Sequence, residues 1–293
     1  MLSRKYSVFY ILLFVLLPVS GFSQFFYYYS NPLAFAGQGS RYTIGSNLTF
    51  VSGEYTGLVP LYNNAGNMIG DTVVKRGVNS KLGSGIELGV TLPIARTGRK
   101  SSYDVSVAVH YNTYVFDNFD KGFSSTGQAV NDGFFIGTLA TVTQIALPLS
   151  IDLKYGSDAI AKRKRRFGTS IGVGVIPQYQ STLYAGYYTL NAGIPDATVT
   201  TFSVAPFVKA EFSAYWLFCF RLKAYYAIGG TKLFEDKAVS LSTGQTVTNS
   251  LSTTGQFTLS LTVLPFSYGW GKEMNSHGWW DDFESEEAMW RKN

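Results

Sequence analysis

The chain has a single cysteine, Cys219, among 293 residues. This excludes a disulfide framework and a cysteine-built metal cluster, and a lone cysteine in a strand-like stretch reads as a small packing residue. Charge is also scarce. Asp, Glu, Lys and Arg make up 15% of the chain, against roughly 25% in an ordinary globular protein. There are two histidines; His277 stands alone, and no metal-ligating spacing surrounds either, so no metal or cofactor is expected. Beyond the first 23 residues no apolar run approaches the roughly 18 residues of a helical membrane span. The formal charge of +5 falls to +3 without Arg4 and Lys5. That is too slight an excess to argue for nucleic acid. No Pro- or Ser-rich linker divides the chain.

What is present is glycine and aromatic: 30 Gly, 20 Tyr and 22 Phe, a strand-and-turn composition poor in helix formers. At the start, Arg4 and Lys5 precede the short apolar core of residues 8–19, broken by Pro18. Gly21, Phe22 and Ser23 then supply the small-residue pattern of a signal-peptidase site. Residues 1–23 are therefore expected to be a secretory signal peptide. Residues 24–40 are an aromatic segment containing Tyr27, Tyr28 and Tyr29. With no helical anchor expected, an exported chain is either soluble or spans a membrane as a closed barrel.

From residue 41 the pattern is regular. Eight stretches alternate apolar and polar with the period of a strand: 41–55, 81–95, 102–116, 133–154, 167–179, 199–215, 217–234 and 256–270. In 102–116, Tyr103, Val105, Val107, Val109, Tyr111 and Val115 fall on one face, and Asp104, Ser106, Ala108, His110 and Asn112 on the other. Longer connections at 57–80, 117–132, 180–198 and 235–255 alternate with short turns at 96–100, 156–166 and Trp216. An up-and-down outer-membrane barrel has this asymmetry, with short turns on the periplasmic side.

Alternation alone suits a soluble barrel as well, with the faces swapped. Three features favour the membrane. The strands match the 9–11 residues of a tilted crossing. Aromatics gather toward strand ends: Tyr42, Tyr55, Tyr103, Phe134, Phe135, Phe167, Tyr179, Trp216, Phe234, Phe257, Tyr268 and Trp270. The polar face mixes Glu87, Asp104, His110, Asp152, Lys209, Glu211, Arg221 and Lys223 with small residues, as a lumen requires. The last stretch runs from Phe257 through Leu259, Leu261 and Val263 to Phe266, Tyr268 and Trp270. It resembles the closing strand of outer-membrane barrels, which the barrel-assembly machinery reads, although a tail to Asn293 follows it. Over residues 41–270 the strand count and loop asymmetry resemble the small eight-stranded OmpA/OmpX-type barrels. The resemblance implies an all-β, up-and-down antiparallel transmembrane barrel in outer-membrane lipid.

A barrel of eight strands is about filled by its own side chains. Glu87, Asp104, His110, Lys209, Glu211, Arg221 and Lys223 are therefore expected to form a polar lumen network. The glycine pairs Gly83/Gly85 and Gly172/Gly174 read as small lumen positions. A lipid-acting hydrolase would need a serine beside His110; the sequence offers only Ser106, four residues back. A carrier for a small or lipophilic ligand would need a cavity lined by Tyr225, Tyr114 and Phe207.

Two further clusters fall on the expected periplasmic side. One is the basic turn Lys162, Arg163, Lys164, Arg165 and Arg166. The other is an acidic aromatic tail, residues 271–293, carrying Trp279, Trp280, Asp281, Asp282, Phe283, Glu284, Glu286, Glu287 and Trp290. They either pair with each other or meet an envelope protein, Coulomb attraction being screened beyond roughly 8–10 Å. The reading is a non-enzymatic outer-membrane barrel with a structural, surface-interaction or envelope-accessory role.

Overall fold

The computed structural model describes residues 41–63, 67–98, 101–120, 122–124, 139–156, 159, 167–185, 197–215, 218–265 and 267. The expected signal peptide, the aromatic segment 24–40, the basic turn 162–166 and the tail 271–293 lie outside these residues. So do Phe134, Phe135, Trp216, Tyr268 and Trp270 of the expected aromatic ends.

The strands are β1 (Tyr42–Tyr62), β2 (Met68–Asn79), β3 (Gly83–Gly98), β4 (Ser101–Asp117), β5 (Phe123–Ser124), β6 (Leu139–Ala146), β7 (Leu149–Gly156), β8 (Phe167–Ala185), β9 (Ala197–Tyr215), β10 (Cys219–Ile228), β11 (Lys232–Val239) and β12 (Thr246–Leu264). Three neighbouring pairs are single staves of the wall with a short interruption. The β2–β3 stave pairs along β1, the β6–β7 stave along β4 and β8, and the β10–β11 stave along β12. Pairing of β12 with β1 closes the ring at eight antiparallel staves.

The ladder fixes the tilt. One row runs Val51, Gln256, Ala227, Phe207, Gly174, Ser150, Ser106, Thr91. Because Val90 pairs with Tyr42, the row returns to β1 opposite position 41, ten residues below where it left. A ten-residue stagger over eight staves, at about 3.3 Å rise and 4.8 Å spacing, corresponds to a tilt of about 40°. At that tilt about ten residues cross an apolar band ~25 Å tall. The 21 residues of β1 therefore continue well beyond it.

The two faces follow the alternation in the sequence. Ile44, Leu48, Phe50, Ile86, Ile151, Ile171, Val173, Val208, Leu222 and Leu261 point outward and are exposed. Glu87, Asp104, Asp152, Glu211 and Arg221 point inward and are buried. Apolar side chains outside and charge inside is the arrangement of a transmembrane barrel and the inverse of a soluble one. Outward aromatics sit at both ends of the band. Phe167 stacks on Phe212 with centroids 5.8 Å apart at one end, and Phe50 meets Phe257 at 6.4 Å toward the other.

Several expectations need correction. Residues 57–62, 68–79, 235–239 and 246–255 are not loops but parts of β1, β2, β11 and β12, and β11 connects to β12 through residues 240–245. Tyr55 and Phe234 are not interface aromatics; they are 2% and 1% exposed, inside the barrel. The stretch 133–154 is interrupted at Leu147–Pro148, where Ala108 and Pro177 supply the bonding partners of the two residues.

Candidate functional site: a filled lumen

The inward side chains form layers. Nearest the short turns is an ionic network. Lys209 lies 2.7 Å from Asp152 and 3.9 Å from Glu211; Arg221 lies 3.2 Å from Glu211; Lys154 lies 3.6 Å from Glu211 and 3.8 Å from Asp104. Arg221 also donates to Thr91, and Asp152 accepts from Ser106 and Ser150. Gly172 makes room for this network, since a Cβ there would stand 2.0 Å from Asp152 Oδ1.

Above it Lys223 donates to Glu87 at 2.5 Å, and Ser260 and Tyr225 donate to the same carboxylate. His110 Nε2 is 3.2 Å from Glu87, and its ring meets Tyr225 edge-on. Taken together, the network holds four carboxylates (Glu87, Asp104, Asp152, Glu211) and four cations (Lys154, Lys209, Arg221, Lys223). With His110 neutral the formal charge is zero. Isolated charges buried in an apolar wall are costly, and mutual pairing is what makes this filling tolerable.

A layer of amides follows. Asn112 donates to Gln144, and Gln144 bonds Gln178 and Gln256. Beyond it lies an apolar core: Tyr114, Phe116, Phe119, Tyr184, Phe234, Leu251 and their neighbours. Phe119 comes from the segment after β4 and crosses the mouth. Its ring lies 5.1 Å from Tyr55 and 5.7 Å from Phe234, and its carbonyl accepts from Arg76 on β2. A cavity of about 10 Å³ remains near Thr43, Thr91, Lys209, Lys223 and Tyr225, room for about one water.

All seven residues of the expected lumen network face inward and are buried. Glu87, His110 and Lys223 come together; Lys209, Glu211 and Arg221 form the second group, to which Asp104 is joined through Lys154. Lys154 was not singled out from the sequence, although its parity with Asp152 in an alternating strand places it inward. Ser106 donates to Asp152 rather than to His110, and Ser260 to Glu87. Tyr114 belongs to the outer apolar core, whereas Phe207 and Tyr225 belong to a separate cluster. The three therefore do not line one cavity. Among the described residues no group of three His, Cys, Asp or Glu could hold a metal ion.

The strands that project past the apolar band are tied at their tips. Asp71 on β2 accepts from the Ser240 hydroxyl at 2.6 Å and from the N–H groups of Leu241 and Ser242, while its own N–H donates to Ser242 Oγ. Burial pushes the Asp71 carboxyl up, but the Ser240, Leu241 and Ser242 donors outweigh it and hold the group below its usual 3.8. Where β12 leaves β1, Asn249 Oδ1 accepts from the Leu58 N–H. The result is a closed lobe above the barrel.

No protein-family model and no curated protein matches this chain. Solved structures of similar fold include three from bacteria. The outer membrane protease OmpT from Escherichia coli is 7% identical, with 76% of this chain and 95% of that chain covered and a TM-score of 0.36. The outer membrane protein OprG from Pseudomonas aeruginosa is 11% identical, with 76% and 94% covered and a TM-score of 0.38. Ail, the attachment invasion locus protein of Yersinia pestis, in complex with the heparin analogue sucrose octasulfate, is 6% identical, with 75% and 97% covered and a TM-score of 0.27. The likeness is one of fold alone, and no function passes from these proteins to this one. The assignment of this chain to the eight-stranded membrane-barrel architecture rests on its own closed ladder and the direction of its two faces.

Proposed function

We propose that the protein is a non-enzymatic outer-membrane barrel that carries a folded β-lobe above the membrane for surface interaction, and is not a pore. The observation that supports this most is the combination of a lumen filled, among the described residues, by ion pairs, amides and an apolar core with strands that outrun the apolar band. A conduit would need the reverse, an open interior and short rims. Export through the signal peptide of residues 1–23 and insertion by the barrel-assembly machinery belong to the same reading.

The purified chain inserted into vesicles tests it, with insertion checked by protease protection. Small-sugar and ion efflux equal to protein-free vesicles is expected. Efflux on the scale of an open porin overturns the reading. On the periplasmic side, the basic turn Lys162–Arg166 and the acidic aromatic tail extend the proposal to mutual contact or an envelope partner. Crosslinks from Lys162 or Lys164 to residues 281–287 would support mutual contact, and their absence would leave the partner.

A further inference from the structure

The wall is not uniformly laddered. Between β9 and β10 the backbone pairing runs from Cys219 with Tyr215 to Ala227 with Phe207, and there it stops. On its other edge β9 stays paired with β8 all the way to Ala197. Residues 197–206 of β9 therefore face the β10–β11 stave without a ladder. The sequence at this point explains why. Pro206 has no N–H to give, and Gly229 takes φ +120°, turning β10 away before β11 begins.

The lower end of this break, at residues 202–206, meets the outer edge of the lipid-facing band. Phe202, Val204 and Ile228 flank it, pointing outward and 69%, 57% and 52% exposed. Phe202 shares its row with Tyr179, Ile145 and Tyr111, all outward and exposed. Unpaired backbone at such a depth is strongly disfavoured. Three side chains stand in for the ladder. Ser203 and Thr231 hydroxyls lie 2.6 Å apart across the break, and Gln178 donates to both. Behind them is an apolar cluster of Ala205, Phe207, Ala227 and Ile176.

We infer that this seam is a lateral site for a single acyl chain of an outer-leaflet lipid. A chain already lying against Phe202, Val204 and Ile228 has an apolar surface on both sides of the seam, and only side-chain hydrogen bonds to part. Opening there parts Gln178 of the amide layer from Ser203 and Thr231 but exposes no ion pair, because the ionic network lies below. The slot between two adjacent staves admits a linear chain and excludes a bulky ligand. The inference rests on the membrane reading of the outward face and adds to it a binding site in the wall.

The test uses the full chain in vesicles containing a phospholipid with a photoreactive diazirine on one acyl chain, labelled positions being mapped by mass spectrometry. Two forms are compared: the wild type, and Ser203→Cys/Thr231→Cys oxidised across the seam. Labelling of Ser203, Ala205, Phe207 or Thr231 is expected in the wild type, with labelling of Ala205 and Phe207 lost in the oxidised variant and regained when that variant is reduced. Labelling confined to Phe202, Val204 and Ile228, and equal in both forms, overturns the lateral site while keeping the membrane reading. No labelling of the outward face overturns both. Should the cysteine pair not oxidise, Ser203→Ala decides the matter: removing the latch should raise labelling of Ala205 and Phe207 several-fold, and an unchanged level overturns the site.

Discussion

The Lys223 ammonium on β10 lies 2.5 Å from Oε1 of Glu87 on β3, although β12 and β1 separate those two staves in the wall. The pair spans the lumen and shares Glu87 with His110, Ser260 and Tyr225. Removing one partner of a buried pair leaves the other charge uncompensated, at a cost of about 3–5 kcal/mol. E87Q should therefore unfold at lower urea in detergent micelles by about that much. The double variant E87L/K223M should recover most of the loss, since an apolar replacement of both partners is nearly neutral. Equal stability of E87Q and wild type would deny the pair its structural role.

Asp71 ties the lobe together and does so only as a carboxylate. Its folded pKa is depressed below 3.8. Its contribution is therefore full above pH 3.8 and is lost as the pH falls through the depressed folded value. Amide exchange at Leu241 and Ser242, followed from neutral pH downward, should be slow until that acidic window and then quicken beyond the intrinsic trend. D71N should show faster exchange at neutral pH and no such acid step. Hydrogen bonds to a charged group are worth about 1.5–3 kcal/mol, so the neutral-pH acceleration should be at least tenfold.

Phe119 stoppers the outer apolar core, whereas the ions lie beneath it. F119A should cost about 3–5 kcal/mol, as truncation of a buried Phe does. It should not raise ion efflux from vesicles, because the amide and ionic layers remain. Efflux from F119A would move the barrier from the ions to the mouth.

Gly85 and Gly77 form a matched pair of tests. A Cβ on Gly85 would stand 2.0 Å from the Tyr111 carbonyl, while one on Gly77 would meet nothing within 4 Å. G85A should lower the unfolding midpoint, by about 1–3 kcal/mol for an overpacked interior. G77A should leave it within about 0.5 kcal/mol of wild type, as surface changes do.

The barrel was legible where one face meets lipid. Tyr42, Ile44, Leu48 and Phe50 alternate with polar neighbours because the wall separates two solvents, and strand parity alone placed Glu87, Asp152 and Lys223 inside. The lobe was not legible for the same reason. Above the band the outward face of β12 meets water, so Thr246, Thr248, Ser250 and Ser252 are polar; the inward face carries Asn249 and Thr253 beside the buried Leu251, and the apolar alternation is too sparse to read as a strand. Tyr55 and Phe234 looked like interface aromatics because a strand end and a strand continuing past the membrane are alike in sequence. The Lys209–Asp152 pairing depends on the registers of β7, β8 and β9, and the Lys223–Glu87 pairing on the closure of β12 on β1, which no local pattern encodes. The seam depends on where β10 leaves β9, although Pro206 and the Gly229–Gly230 pair mark the place.

The most direct test of the account is gel migration of the outer-membrane fraction with and without heating in SDS. A closed barrel with an apolar exterior should sediment with the outer membrane and run faster unheated than heated, because the closed ladder resists SDS until it is boiled. A chain found in the soluble fraction, with one mobility in both conditions, would contradict the account. Its outward leucines and isoleucines would then need another cover, and its inward ion pairs another explanation.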